Sequence, residues 1–154
     1  PQQLVPPAHG SAHLRTLLER LALVRNESAE ADHLRAAETL LRAQTQRALV
    51  VWVTDLAETP ATPDVIESAM QLAQRHLVLF LVIGHPEMGR LTSTRPPDKT
   101  ALYRYAAAQE VQQRRELLLR QLRQRGALAL EVEAARLSTA LVNHYLQVKE
   151  RALL

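Results

Sequence analysis

Two unbroken apolar runs dominate the hydropathy pattern. Ala48-Leu49-Val50-Val51-Trp52-Val53-Thr54 is the first, closed by Asp55, and His76-Leu77-Val78-Leu79-Phe80-Leu81-Val82-Ile83 is the second, closed by Gly84. Continuous rather than alternating apolar character predicts parallel strands covered on both faces by helices. Ala127-Leu128-Ala129-Leu130-Glu131-Val132, entered from Gly126, reads as a third strand. Leu4-Val5, stopped by Pro6-Pro7, reads as the tail of a further one.

Elsewhere the apolar positions recur at helical spacing. Leu14, Leu17, Leu18, Leu21 and Val24 predict a first helix with Ser11 as N-cap. Leu34, Ala37, Leu40 and Leu41 predict a second. Ile66, Ala69, Met70 and Ala73 predict a third, with Thr62 as N-cap, Pro63 at the first helical position and Asp64 at the positive end of the dipole. A long fourth helix is expected from about Thr100 to Arg125, stopped by Gly126 at C′. Leu137, Ala140, Leu141, His144, Tyr145 and Val148 mark a fifth. The stretch from Gly84 to Lys99, with Pro86, Gly89, Pro96 and Pro97, is expected to be a long loop.

Alternation of this kind implies right-handed crossovers and a parallel sheet between two helical layers. The expected architecture is a single three-layer α/β/α domain, Rossmann-like, over residues 1–154. Three strands are few for this design, and the chain opens at Pro1 rather than methionine. Both features lead to the expectation that the domain is incomplete at its N-terminal side and that further strands lie upstream.

Composition narrows the function classes. The absence of cysteine excludes disulfides, zinc–thiolate sites and thiol nucleophiles. The net charge of +3 mixes acids among arginines, and aromatics are 3% of the chain, so the basic face interleaved with stacking rings of a nucleic-acid binder is not expected. No run approaches the roughly 20 apolar residues that span a bilayer. Glycines are too few and too scattered for a phosphate loop, and no nucleophile elbow is present.

Ligands of open parallel sheets bind beyond the carboxyl ends of the strands. That rule selects Asp55 with Thr54, Glu58 and Thr59; His85 with Glu87; and Glu131 with Glu133. A carboxylate ending an apolar strand can hold a divalent cation with hydroxyl partners. An aspartate there equally serves as a turn cap. His85 reads as a loop histidine and His144 as a packed, hydrogen-bonded one. Arg104, Arg114, Arg115, Arg120, Arg123 and Arg125 read as a solvated helix face, with a docking surface for an acidic partner as the sharper alternative.

Several segments together carry a family resemblance. Arg47-Ala-Leu-Val-Val-Trp-Val-Thr-Asp55 resembles the RxLVVxxTD strand of von Willebrand factor A-like domains. Val5-Pro-Pro-Ala-His-Gly10 with the Leu14–Leu21 helix, Arg75-His-Leu-Val-Leu79, Arg125-Gly-Ala-Leu-Ala-Leu130 and Leu141-Val-Asn-His-Tyr-Leu-Gln-Val-Lys149 narrow the likeness to the C-terminal portion of the domain of unknown function 58 family. The resemblance implies a bacterial or archaeal protein often encoded beside MoxR-type AAA+ ATPases. It also implies a full-length form anchored by two membrane helices, with its domain on the cytoplasmic side. No catalytic activity is established for the class, so the implied function is a non-enzymatic protein–protein interaction module, an accessory partner of such an ATPase. Asp55 matches the aspartate of a metal-ion-dependent adhesion site, and Ser11 falls near the threonine element. The DxSxS loop of that site has no counterpart in this sequence. Magnesium is therefore expected to bind weakly or not at all without upstream residues. Asp55, Glu58 and Thr59 are the expected partner-binding residues. An open sheet edge would invite homodimerisation. The alternative is a phosphate- or nucleotide-handling enzyme domain with its site near Asp55, Glu58 and His85.

Overall fold

The computed structural model describes residues 4–25, 31–55 and 62–152. Its elements are α1 (Gly10–Ala22), α2 (His33–Ala43), β1 (Leu49–Thr54), α3 (Thr62–Ala73), β2 (Leu77–Gly84), α4 (Pro86–Ser93), α5 (Lys99–Gln124), β3 (Leu128–Glu133) and α6 (Leu137–Glu150), with one 3-10 turn at Ala134–Arg136. The strands form a parallel sheet in the order β1-β2-β3. Leu49 to Thr54 stand beside Leu77 to Val82, and Leu79 to Gly84 beside Leu128 to Glu133.

The central strand explains the sequence pattern. Period-two alternation sends Val78, Phe80 and Val82 of β2 to one face and Leu79 and Leu81 to the other, and all five are fully buried. The first face packs against Ala37 of α2, Val65, Ala69 and Leu72 of α3, and Leu118, Leu119 and Leu122 of α5. Trp52 of β1 extends that core, its ring 5.2 Å from Phe80. The second face packs against Leu137, Ala140 and Leu141 at the start of α6. Both crossovers, through α3 and through α5, lie over the first face. That follows from a strand order advancing in one direction with right-handed connections. The second face is left to α6, and Val51 and Val53 of β1 stay 39% and 42% exposed there.

Helix ends follow local chemistry. The Asp32 carboxylate accepts from the Arg35 N–H at 2.9 Å and caps α2. The Asp98 carboxylate accepts from the Ala101 N–H at 2.7 Å and caps α5. Gly126 at φ +90° closes α5. Its N–H donates to the Arg123 carbonyl, and the Ala127 N–H donates to the Leu122 carbonyl, the paired bonds of a Schellman motif.

Three expectations are corrected. Ser11 is not the N-cap of α1: Gly10, at φ +87°, already opens the helix behind His9, and Ser11 lies in the first turn. Leu4 and Val5 belong to no strand. The segment from Gly84 to Lys99 is not one loop, because Pro86–Ser93 forms α4. Proline is favoured at the first helical position, where its missing N–H costs nothing, so Pro86 starts the helix rather than breaking it. Gly89 is tolerated within it at about 1 kcal/mol. The N-cap expected at Thr62 lies outside the described side chains. Helix α1 carries its expected leucine stripe but buries none of its residues.

Candidate functional site

The carboxyl ends of the three parallel strands lie along one edge of the sheet, and each delivers titratable groups there. Asp55 follows β1, His85 follows β2, and Glu131 and Glu133 close β3. His85 Nε2 stands 3.2 Å from both Asp55 Oδ1 and Oδ2. About half of each side chain is solvent-exposed, so the pair is accessible. Thirty residues separate the two in sequence; parallel pairing of β1 with β2 brings them together. An ionised carboxylate only accepts, so in this contact the His85 Nε2–H is the donor.

A second constellation lies between the ends of β2 and β3. Arg115 of α5 is 5% exposed, and its Nη1 donates to Glu131 Oε1 at 2.8 Å. Arg115 was expected on the solvated arginine face. Instead it occupies the buried stripe of α5 with Ala108, Val111, Leu118 and Leu122. The spacing of that stripe, with an arginine on an otherwise apolar face, was the signal that could have found the pair. Gly84 makes room for it: a Cβ at that position would stand 2.6 Å from Glu131 Oε1. An open cleft of about 740 Å³ runs over this pair, bounded by His85, Arg90, Gln112 and Glu133.

The other expected residues fall as follows. Glu58 and Thr59 lie outside the described residues. The carboxylate of Asp55 meets His85, not Ser11, which sits in α1. His144 Nδ1 donates to the Ala140 carbonyl at 2.9 Å, the packed role expected of it. Of the remaining arginines, Arg114 pairs with Glu110 and Arg123 Nε donates to the Ala129 carbonyl.

The described residues do not by themselves fit a magnesium centre. No group of three or more histidine, aspartate or glutamate side chains is placed to hold a metal ion among them. Magnesium asks for near-octahedral oxygen coordination, and one carboxylate already facing an imidazole supplies little of it.

The family model described as "Protein of unknown function DUF58" matches residues 1–94, from the first residue to the end of α4. No curated protein and no solved structure matches the chain. The match takes in β1, β2, Asp55 and His85, more than half of the sequence, and the chain belongs to the DUF58 family of proteins of unknown function.

Proposed function

We propose that this chain is a non-enzymatic protein–protein interaction module of the von Willebrand A-like type, an accessory partner of a MoxR-type AAA+ ATPase. The observation that carries the interaction reading is Asp55. Its carboxylate ends an apolar strand at the edge where parallel sheets bind ligands, and it remains 45% exposed. The choice of ATPase rests on the sequence resemblance. In this reading Asp55 receives a cationic or metal-bridged group of the partner, with Glu58 and Thr59 beside it in sequence. Magnesium contributes only where ligands from outside the described residues complete its shell. The same resemblance is what supports a full-length form at the cytoplasmic side of a membrane. Among the described residues no helix is long and apolar enough to cross one.

Capture of a purified MoxR-type ATPase by this chain, with magnesium and with chelator, tests the reading. Asp55→Ala is expected to weaken capture by about tenfold or more, as loss of a central charged contact does. Unchanged capture removes Asp55 from the interface. Failure of the unaltered chain to bind any such ATPase removes the partner.

One observation favours a second reading, a phosphate- or nucleotide-handling enzyme. The Asp55 carboxylate faces the His85 imidazole, and the pair lies beside a cleft holding Arg115. This reading expects saturable turnover of a nucleotide or phosphoester, abolished by His85→Ala. Absence of turnover across a broad panel sets it aside.

A further inference from the structure

The cleft over the ends of β2 and β3 carries a charge pattern that neither functional reading uses. Its volume of about 740 Å³ lies within the range of small-molecule sites. Residues between Gly84 and Glu133 form all of its walls. Arg115 is its most deeply set charge, with a side chain 4% exposed. A guanidinium offers five N–H donors. Nη1 donates to Glu131 Oε1, and the enclosed Nε finds no acceptor among the described residues. Buried donors are nearly always paired, so an unpaired one marks a place for a further acceptor. Gln112 lines the same cleft and brings an amide that both donates and accepts.

The exposed charges of the cleft say what fits there. Arg90 of α4 is exposed and meets no carboxylate among the described residues. The Glu133 side chain is half-exposed, and Arg136 approaches it only to 4.0 Å, the outer limit of an ion pair. Exposed pairs of that kind contribute little, so Glu133 remains open to a closer cation. Arg90 and Glu133 thus supply one charge of each sign, beside an Arg115–Glu131 pair whose charges cancel. A ligand with an anion alone, or a cation alone, meets repulsion along with attraction. A ligand with both meets a complement for each. Guanidinium groups also match the planar, two-oxygen geometry of a carboxylate.

We infer that this cleft binds a small zwitterion, a free amino acid, with its carboxylate held by Arg90 and Arg115 and its ammonium by Glu133 and Glu131. Glu131 holds Arg115 through one oxygen, Oε1, and its side chain is 41% exposed, so it can serve both groups. The site requires neither the ATPase partner nor any turnover.

Isothermal titration of the complete 154-residue chain with each of the common amino acids tests this. At least one is expected to bind with a Kd of about 1 mM or tighter, and at about ten times that concentration to raise the thermal midpoint by about 3 °C. Its carboxamide, which lacks the anion, and its des-amino acid, which lacks the cation, should each bind about tenfold more weakly. Arg90→Ala and Glu133→Gln should each weaken binding about tenfold as well. Both positions are exposed, so the thermal midpoint of the unliganded variants should stay within about 2 °C of the parent chain. Absence of heat and of any thermal shift with every amino acid at about 10 mM overturns the inference. Equal binding of the singly charged analogues, or undiminished binding by both variants, overturns it too. Inorganic phosphate binding more tightly than every amino acid overturns it in favour of the phosphate-handling reading.

Discussion

Gly84 controls the carboxyl edge through what it lacks. The Glu131 carboxylate lies over it, at 2.6 Å from where a Cβ would be, and from there reaches Arg115. The two partners are unequally buried: the Arg115 side chain is 4% exposed and that of Glu131 41%. Removing the carboxylate therefore strands a buried guanidinium, whereas removing the guanidinium leaves an acid that water can reach. Glu131→Ala is expected to cost about 2 kcal/mol in urea denaturation, Gly84→Ala a similar amount by displacing the carboxylate, and Arg115→Met distinctly less. Equal losses for Glu131→Ala and Arg115→Met would show that the asymmetry of burial does not govern the pair. The charge character of Arg115 was plain in the sequence. Its burial depends on Glu131, sixteen residues away, and on a glycine in another strand.

At the scale of the element, α5 spans 26 residues and is fixed at both ends by short-range chemistry. Gly126 holds φ +90°, where a side chain is strained, although nothing lies within 4 Å of an added Cβ. Gly126→Ala is accordingly expected to cost about 1 kcal/mol through backbone conformation alone. Asp98→Ala is expected to cost about 1 kcal/mol through loss of the N-cap. The two lie at opposite ends of the helix, so thermal or urea unfolding of the double variant should show additive losses. A much larger effect of either one would mean that its end of α5 supports more than the helix. The C-terminal stop was legible because glycine after a helical run has one dominant use. Helix α4 was not, since in eight residues with a proline and a glycine the local pattern cannot separate a short helix from a loop.

For the molecule as a whole, the two faces of the sheet are unequally covered. Three helices lie over one face and α6 over the other. The α1 helix contributes to neither core: Leu14, Leu18 and Leu21 are 58%, 60% and 67% exposed. Deleting residues 1–25 is therefore expected to leave the thermal midpoint unchanged to within about 2 °C. A fall of much more than that would show that α1 packs against the sheet in solution.

The sequence by itself determined the strands, their parallel sense and most helices. Continuous apolar runs of seven and eight residues, separated by amphipathic segments, can be buried in few ways other than a sheet between helical layers. It also placed Asp55, His85 and Glu131 at one edge, because that edge is where parallel strands end. Only the tertiary structure decided which of them meet. Alignment of β1 with β2 set His85 on Asp55, and packing of α5 against β3 took Arg115 out of solvent to meet Glu131. Local periodicity reports which face of an element is apolar. Which charge opposes which is set by contacts between residues distant along the chain, and there the three-dimensional arrangement decides.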